Sequence, residues 1–90
     1  MRVAQRLTIS GRVQGVGFRY FALEAAAREG VTGWVRNLVD GRVEAHVEGE
    51  MEAVTRLERA LRQGPRGARV DHVEVDGQEP TGRFVDFTIR

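Results

Sequence analysis

The first regular pattern in the chain is an alternation of apolar and polar side chains over residues 6–13. Leu7, Ile9 and Val13 fall on one side of an extended backbone and polar residues fall on the other, which predicts a strand with one buried face. The segment QGVG follows with two glycines, and the next twelve residues, FRYFALEAAARE, are rich in helix-favouring alanine and glutamate. The sequence therefore predicts a strand, a glycine loop and a helix in immediate succession.

A pair of strands joined by a tight turn is predicted next. Gly30 is expected to end the helix, and the β-branched and aromatic stretch VTGWVRNLV after it predicts a second strand. Asp40 and Gly41 separate this stretch from RVEAHVE, and an Asp-Gly pair between two such segments is a strong hairpin signal. We expect the second and third strands to be antiparallel neighbours.

The third strand is expected to have one buried face and one exposed face. Its apolar positions are predicted to face the core: Val43, Ala45 and Val47. The polar positions between them are predicted to face water: Glu44, His46 and Glu48.

A second helix, two further strands and their connectors complete the chain. The helix is predicted to begin near Glu50, with an apolar stripe at Met51, Val54, Leu57 and Leu61. A fourth strand is predicted around residues 70–75, a turn-rich connector at DGQEPTG, and a fifth strand in FVDFTIR. The order βαββαβ plus a short C-terminal strand predicts an α+β fold of the ferredoxin-like type, with two helices on one face of an antiparallel sheet.

Composition places the chain among single-domain globular proteins. Its 90 residues are 41% hydrophobic and 30% charged, so we expect one domain, residues 1–90, with one modest core. The absence of cysteine excludes disulfides and thiolate chemistry. All fourteen basic residues are arginine, which excludes Schiff-base and P-loop lysine chemistry.

The distribution of charge and hydropathy along the chain indicates where the protein acts and what it binds. Acidic residues are interspersed with the arginines at helical spacing, which indicates solvated helix faces and not a nucleic-acid stripe. No apolar run approaches the roughly 20 residues that span a bilayer, and the N-terminus lacks the apolar core of a signal peptide. We expect a cytoplasmic protein that binds neither membrane nor nucleic acid and that acts as a monomer.

The glycine loop before the first helix is a candidate anion site. Backbone N–H groups and the positive end of a helix dipole meet there, and Arg19 at the start of the helix carries a planar fork that can hold two oxygens of a phosphate or carboxylate. Neither common nucleotide motif fits, because a P-loop needs a lysine and a Rossmann fingerprint needs a glycine at Tyr20. From the residues alone, a plain connector and a surface arginine remain open as alternatives.

Two segments resemble the signatures of the acylphosphatase family: GRVQGVGFRYF at residues 11–21 and GWVRN at residues 33–37. The length, the Asp-Gly hairpin, the VEG before the second helix and the terminal FTIR are also similar to that family. The resemblance implies hydrolysis of the carboxyl-phosphate anhydride bond of acyl phosphates, with no metal or other cofactor.

The resemblance also assigns roles to individual residues. It implies that Arg19 and Asn37 are catalytic, with Asn37 positioning the attacking water. It implies that the phosphate is bound by the loop Gln14, Gly15, Val16, Gly17, Phe18 and Arg19. Inorganic phosphate or sulfate is then expected to compete with the acyl phosphate substrate.

These residue types suit that reaction. A carboxylate leaving group has a pKa of about 4 and departs without a proton donor. Asn37 cannot act as a base, but its carbonyl oxygen can accept a hydrogen bond from water and orient it. Strand alternation places Val35 and Asn37 on one face, which predicts that Asn37 lies on the helix side, near Arg19.

Other interpretations remain open for single residues and for the whole chain. Asn37 could be an ordinary residue at the end of a strand, and Trp34 could be a core residue. His46 and His72 are far apart in the sequence and fit exposed or structural positions. A non-catalytic phosphate-binding domain is one alternative function, because a similar module occurs in larger carbamoyl-handling maturation proteins; a chain that ends at Arg90 favours the free-standing enzyme. RNA binding is another alternative, although RVEAHVE offers no aromatic side chain.

Overall fold

The computed structural model describes residues 1–90 as two helices packed on a five-stranded sheet. The elements in chain order are β1 (Arg2–Arg12), α1 (Phe18–Glu29), β2 (Thr32–Asn37), β3 (Val43–Glu50), α2 (Met51–Gln63), β4 (Arg69–Gln78) and β5 (Phe87–Ile89). The strand order across the sheet is β4-β1-β3-β2-β5. Neither helix combines the length and the apolar character that crossing a bilayer requires.

The sheet confirms the ferredoxin-like plan. Strands β1 to β4 pair antiparallel, as βαββαβ connections require, and the Asp-Gly turn joins β2 and β3 as predicted. The short β5 pairs parallel with β2 at the edge of the sheet, so the whole sheet is mixed. β4 runs opposite to β2, so it ends at the end of the sheet where β2 begins, and the chain enters β5 from that same end.

The hydrophobic core lies between the helices and one face of the sheet. The alternating apolar residues of β1 and β3 supply one side of it, and α1 supplies Phe18 and three alanines. Helix α2 contributes Ala53, Val54, Leu57 and Leu61, whereas Met51 of the predicted stripe is exposed. Met51 is the first residue of the helix, where the chain has only just left β3.

The expectation that the polar residues of β3 face water is wrong for two of them. Val43, Ala45 and Val47 are fully buried on the helix side as predicted, but His46 and Glu48 on the other side are also buried. Because β4 and β5 lie at opposite edges, residues 79–86 must traverse the sheet, and they do so over the face that carries Glu48. The sheet is therefore covered on both sides at this point.

Glu48 holds the crossing segment with three hydrogen bonds and accepts a fourth from His46 of its own strand. Its carboxylate accepts from the backbone N–H groups of Thr81 and Gly82 at 2.9 and 3.1 Å and from the Thr81 hydroxyl at 2.8 Å. The Nε2 of His46 donates to the same carboxylate at 2.7 Å, since an ionised carboxylate only accepts. Burial by itself raises the pKa of Glu48, but the hydrogen bonds from His46, Gly82 and Thr81 outweigh it and lower the pKa to about 2.

Trp34 is buried, as predicted, but on this second face and outside the main core. Its ring stacks on His46 with a centroid separation of 6.1 Å, and the guanidinium groups of Arg6, Arg36 and Arg90 lie over it at 4.5 to 5.4 Å. Only 6% of the residue is exposed. A base-stacking platform needs an open aromatic face, so this arrangement weighs against RNA binding on the sheet.

Candidate active site

A cavity of about 220 Å³ lies at the end of the sheet where α1 begins and β2 ends. Seven residues line it: Val13, Gly15, Gly17, Phe18, Arg19, Tyr20 and Asn37. Residues from the glycine loop and from the end of β2 thus meet at one place, although about twenty residues of chain separate them. The cavity contains no carboxylate and no histidine.

The glycine loop takes a backbone shape that favours glycine. Gly15 and Gly17 have φ angles of 74° and 77°, in the left-handed region that costs other L-residues about 1–2 kcal/mol each. Gly17 is the N-cap of α1 and offers no side chain to cap the helix. None of the backbone N–H groups from residue 14 to residue 20 donates a hydrogen bond within the chain. This run of free donors at a helix N-terminus provides strong attraction for an anion.

Arg19 brings a free positive charge to the cavity. The side chain is partly buried, yet none of the eight ion pairs of the chain includes it. A partly buried charge is costly unless it is paired, and every other arginine without an ion pair, such as Arg12 and Arg28, is exposed. The guanidinium fork of Arg19 is therefore available for an incoming anion.

Asn37 lies on the same cavity, as strand alternation predicted. It is the last residue of β2 and pairs with Val43 of β3. Two residues earlier Val35 is fully buried in the core on the helix side, so Asn37 falls on that side as well. Its side-chain amide makes no hydrogen bond within the chain and is free to bind water or substrate.

Two residues of the predicted phosphate loop do not line the cavity. The side chain of Gln14 turns to the β2–β3 hairpin, where its Nε2 donates to the carbonyl oxygens of Leu38 at 2.7 Å and Arg42 at 2.9 Å. Val16 packs against the hydrophobic core. Of the loop residues assigned by resemblance, Gly15, Gly17, Phe18 and Arg19 line the cavity.

Sequence reasoning missed two lining residues, Val13 and Tyr20. Val13 is the last apolar position of the β1 alternation and is buried, so its pattern resembles that of any core residue. Tyr20 had one usable signal in the sequence, because it directly follows Arg19; in the structure it is 66% exposed.

Comparison with known proteins bears directly on this arrangement. A family model described as acylphosphatase matches residues 5–89, which is nearly the whole chain. The chain belongs to the acylphosphatase family. Both segments that line the cavity, the glycine loop and the end of β2, fall within the matched region.

Relatives in the family match in length as well as in sequence. An acylphosphatase of Anaeromyxobacter dehalogenans is 56% identical over 89 residues, which cover 99% of this chain and 96% of that protein. The crystal structure of the acylphosphatase from Bacillus subtilis superimposes with a TM-score of 0.94 at 35% identity and covers 98% of both chains. These matches bear out both the predicted fold and the resemblance noted in the sequence.

The same domain also occurs inside a much larger protein. The crystal structure of full-length HypF, in a phosphate- and nucleotide-bound form, contains a segment that matches this chain with a TM-score of 0.88 at 28% identity. That segment is 12% of the HypF chain. The acylphosphatase fold is thus found both as a free-standing protein and as one part of a longer chain.

Proposed function

We propose that this protein hydrolyses the carboxyl-phosphate anhydride bond of acyl phosphates, giving a carboxylate and inorganic phosphate, without a metal ion. The observation that carries the proposal is the shared cavity of the glycine loop, Arg19 and Asn37. A group that binds phosphate oxygens and a group that can hold water meet there, and the relatives of matching length are named acylphosphatases.

The phosphate is bound by the loop backbone and by Arg19. The free N–H groups of residues 15–19 and the guanidinium fork supply donors for the oxygens around phosphorus. Phosphoryl transfer depends largely on positioning and on stabilising charge over these equatorial oxygens. The donors of the loop and Arg19 provide that stabilisation from the protein itself.

Asn37 holds the attacking water in line with the bond that breaks. Its amide oxygen accepts a hydrogen bond from the water, whose oxygen attacks phosphorus as the bond to the carboxylate oxygen breaks. The carboxylate leaves with the electron pair and, with a pKa of about 4, needs no proton from the enzyme. Because no carboxylate or histidine lines the cavity, the water proton passes to a phosphate oxygen.

The size of the cavity suits a small substrate. A volume of about 220 Å³ corresponds to about seven water molecules at ~30 Å³ each. A phosphate group, a short acyl group and one water fit within that space. The open side of the cavity, where Tyr20 is exposed, leaves room for a larger acyl group.

Steady-state hydrolysis of acetyl phosphate and benzoyl phosphate tests the proposal. We expect turnover by the purified protein that is unchanged by a chelator, and competitive inhibition by inorganic phosphate or sulfate. Absence of turnover together with tight phosphate binding would instead favour a phosphate-binding domain, the role left open by the likeness to a segment of HypF. Loss of turnover on chelation would refute the metal-independent mechanism.

Replacement of Arg19 by alanine should remove binding and turnover together. Several charge-assisted hydrogen bonds disappear, so we expect kcat/KM to fall by at least about 100-fold, or roughly 3 kcal/mol. Arg28→Ala is the matched control, because Arg28 is an exposed arginine without an ion pair at the other end of the same helix. Equal losses in the two variants would contradict the assigned role of Arg19.

A further inference from the structure

The two halves of the site follow strands that are not directly hydrogen-bonded to each other. The glycine loop and Arg19 follow β1, whereas Asn37 ends β2, and β3 lies between these strands in the sheet. Two strand spacings of about 4.8 Å each therefore separate β1 from β2. The glycine loop also lies beyond the end of β1 at Arg12, so strand pairing does not extend to it.

Gln14 supplies a direct link across this gap. Its Nε2 donates to the carbonyl oxygen of Leu38 at 2.7 Å and to that of Arg42 at 2.9 Å. These are the only hydrogen bonds between residues 13–17 and residues 37–42. Gln14 immediately precedes Gly15 of the loop, and Leu38 immediately follows Asn37, so each end of the link lies one residue from the cavity.

The chemistry of the contact fixes the orientation of the Gln14 amide. Both partners are carbonyl oxygens, which only accept, so the nitrogen faces them and both of its N–H donors are used. The same two carbonyls also accept the hydrogen bonds that close the hairpin, from Gly41 N at 3.2 Å and Leu38 N at 2.8 Å. The side-chain amide thus completes the hairpin turn and has no donor left for a phosphate.

We propose that the side chain of Gln14 is a positioning residue, which holds the phosphate-binding loop at the correct distance from Asn37 without contacting the substrate. This inference rests on the proposed function of the cavity. It revises the expectation from resemblance that the whole of Gln14 binds phosphate; only its backbone N–H group remains available for that role. A misplacement of about 1 Å between reacting groups can cost about 100-fold in rate, so such a link acts on turnover.

The variant Gln14→Met keeps the length of the side chain and removes both donors. We expect kcat for acetyl phosphate to fall by about 10-fold or more, while the inhibition constant of inorganic phosphate changes by less than about 3-fold, because the loop amides and Arg19 remain. Gln63→Met is the matched control at the exposed end of α2 and should leave both constants unchanged.

A double-mutant cycle with Asn37→Ala identifies the route of the effect. If Gln14 acts through the placement of Asn37, Gln14→Met should change kcat by less than about 2-fold once Asn37 is alanine. A full further loss in the double variant would overturn the inference. A parallel loss of phosphate affinity and kcat/KM in Gln14→Met would overturn it too, since the side chain would then behave as a phosphate ligand.

Thermal unfolding of each variant shows whether turnover is compared between folded proteins. If Gln14→Met does not fold, Gln14→Asn is the second variant, because its shorter amide cannot reach both carbonyls. The same fall in kcat with a nearly unchanged phosphate inhibition constant is expected. Wild-type turnover with an unchanged kcat in both Gln14 variants would refute the positioning role alone. A wild-type protein without turnover would refute the proposed function and the positioning role with it.

Discussion

Arg19 and Asn37 both line the cavity, and neither side chain has a hydrogen-bond or ion-pair partner within the chain. Arg42 is paired with Asp40, Arg69 with Asp71, and the amide of Gln14 with two carbonyls. Arg19 is the only partly buried arginine without an ion pair, and a charge in such a position is costly unless a ligand pairs with it. Arg19 is therefore available for the substrate, whereas the side-chain amide of Gln14 is used within the structure.

Replacement of Asn37 by alanine should separate turnover from phosphate binding. Without the amide the water loses its orientation, so we expect kcat to fall by about 100-fold or more while phosphate inhibition changes by less than about 3-fold. Asn37→Asp should additionally weaken phosphate inhibition, because it places a negative charge beside the anion. Val39→Ala, at an exposed position of the same hairpin, serves as the control; full turnover in Asn37→Ala would disprove the assigned role.

At the scale of elements, α1 begins and ends with glycines in nearly the same conformation. Gly17 at its N-cap has φ 77° and Gly30 at its C-cap has φ 70°, and an added Cβ would meet no atom within 4 Å at either position. The backbone cost of alanine is therefore similar at both ends. Only the N-terminal end lines the cavity.

The pair Gly17→Ala and Gly30→Ala should therefore separate stability from function. Each variant is expected to lose about 1–2 kcal/mol of unfolding free energy, from the strain of alanine at positive φ. Only Gly17→Ala is expected to weaken phosphate inhibition, because it disturbs the donors of the loop. Urea unfolding and inhibition assays on both proteins provide the check, and equal phosphate affinity in the two would argue against an anion site at this helix end.

Local signals in the sequence were sufficient to predict most elements and the half of the site that the glycine loop and Arg19 form. The glycine loop, the Gly30 cap and the Asp-Gly turn each fix a backbone conformation within a few residues, and all three were predicted correctly. The burial of His46 and Glu48 was missed because it depends on residues 79–86, which arrive from the far edge of the sheet. The turn of the Gln14 side chain to the hairpin was missed for the same reason, since its partners lie 24 and 28 residues away.

At the scale of the whole molecule, the carboxylate of Glu48 ties the segment between β4 and β5 to the middle of the sheet. The group is 1% exposed, and its pKa of about 2 lies below the value of about 4.3 expected in the unfolded chain. A depressed pKa in the folded state contributes stability that is complete above the unfolded pKa and is lost as the pH falls through the folded pKa. The window for Glu48 thus runs from about pH 4.5 down to about pH 2.

Glu48→Gln tests this contribution. We expect about 1–3 kcal/mol of destabilisation at pH 7, because the amide lacks the charge that the His46, Thr81 and Gly82 donors bind. We also expect a shallower loss of stability between pH 4.5 and pH 2 than in the wild type. Glu74→Gln, at an exposed position of β4, is the control. Unfolding followed by circular dichroism across this pH range would show the difference, and identical pH profiles would contradict the role of Glu48.

The place of β1 between β4 and β3 in the sheet governs the order in which the protein can fold during synthesis. β1 is made first, yet its partners are β3 on one side and β4 on the other, and β4 ends at Gln78. One edge of β1 can therefore pair with β3 once residue 50 has been made, whereas its other edge stays unpaired until β4 has been made. Such non-local pairing slows folding, so the sheet is expected to be completed late, when β4 pairs with β1.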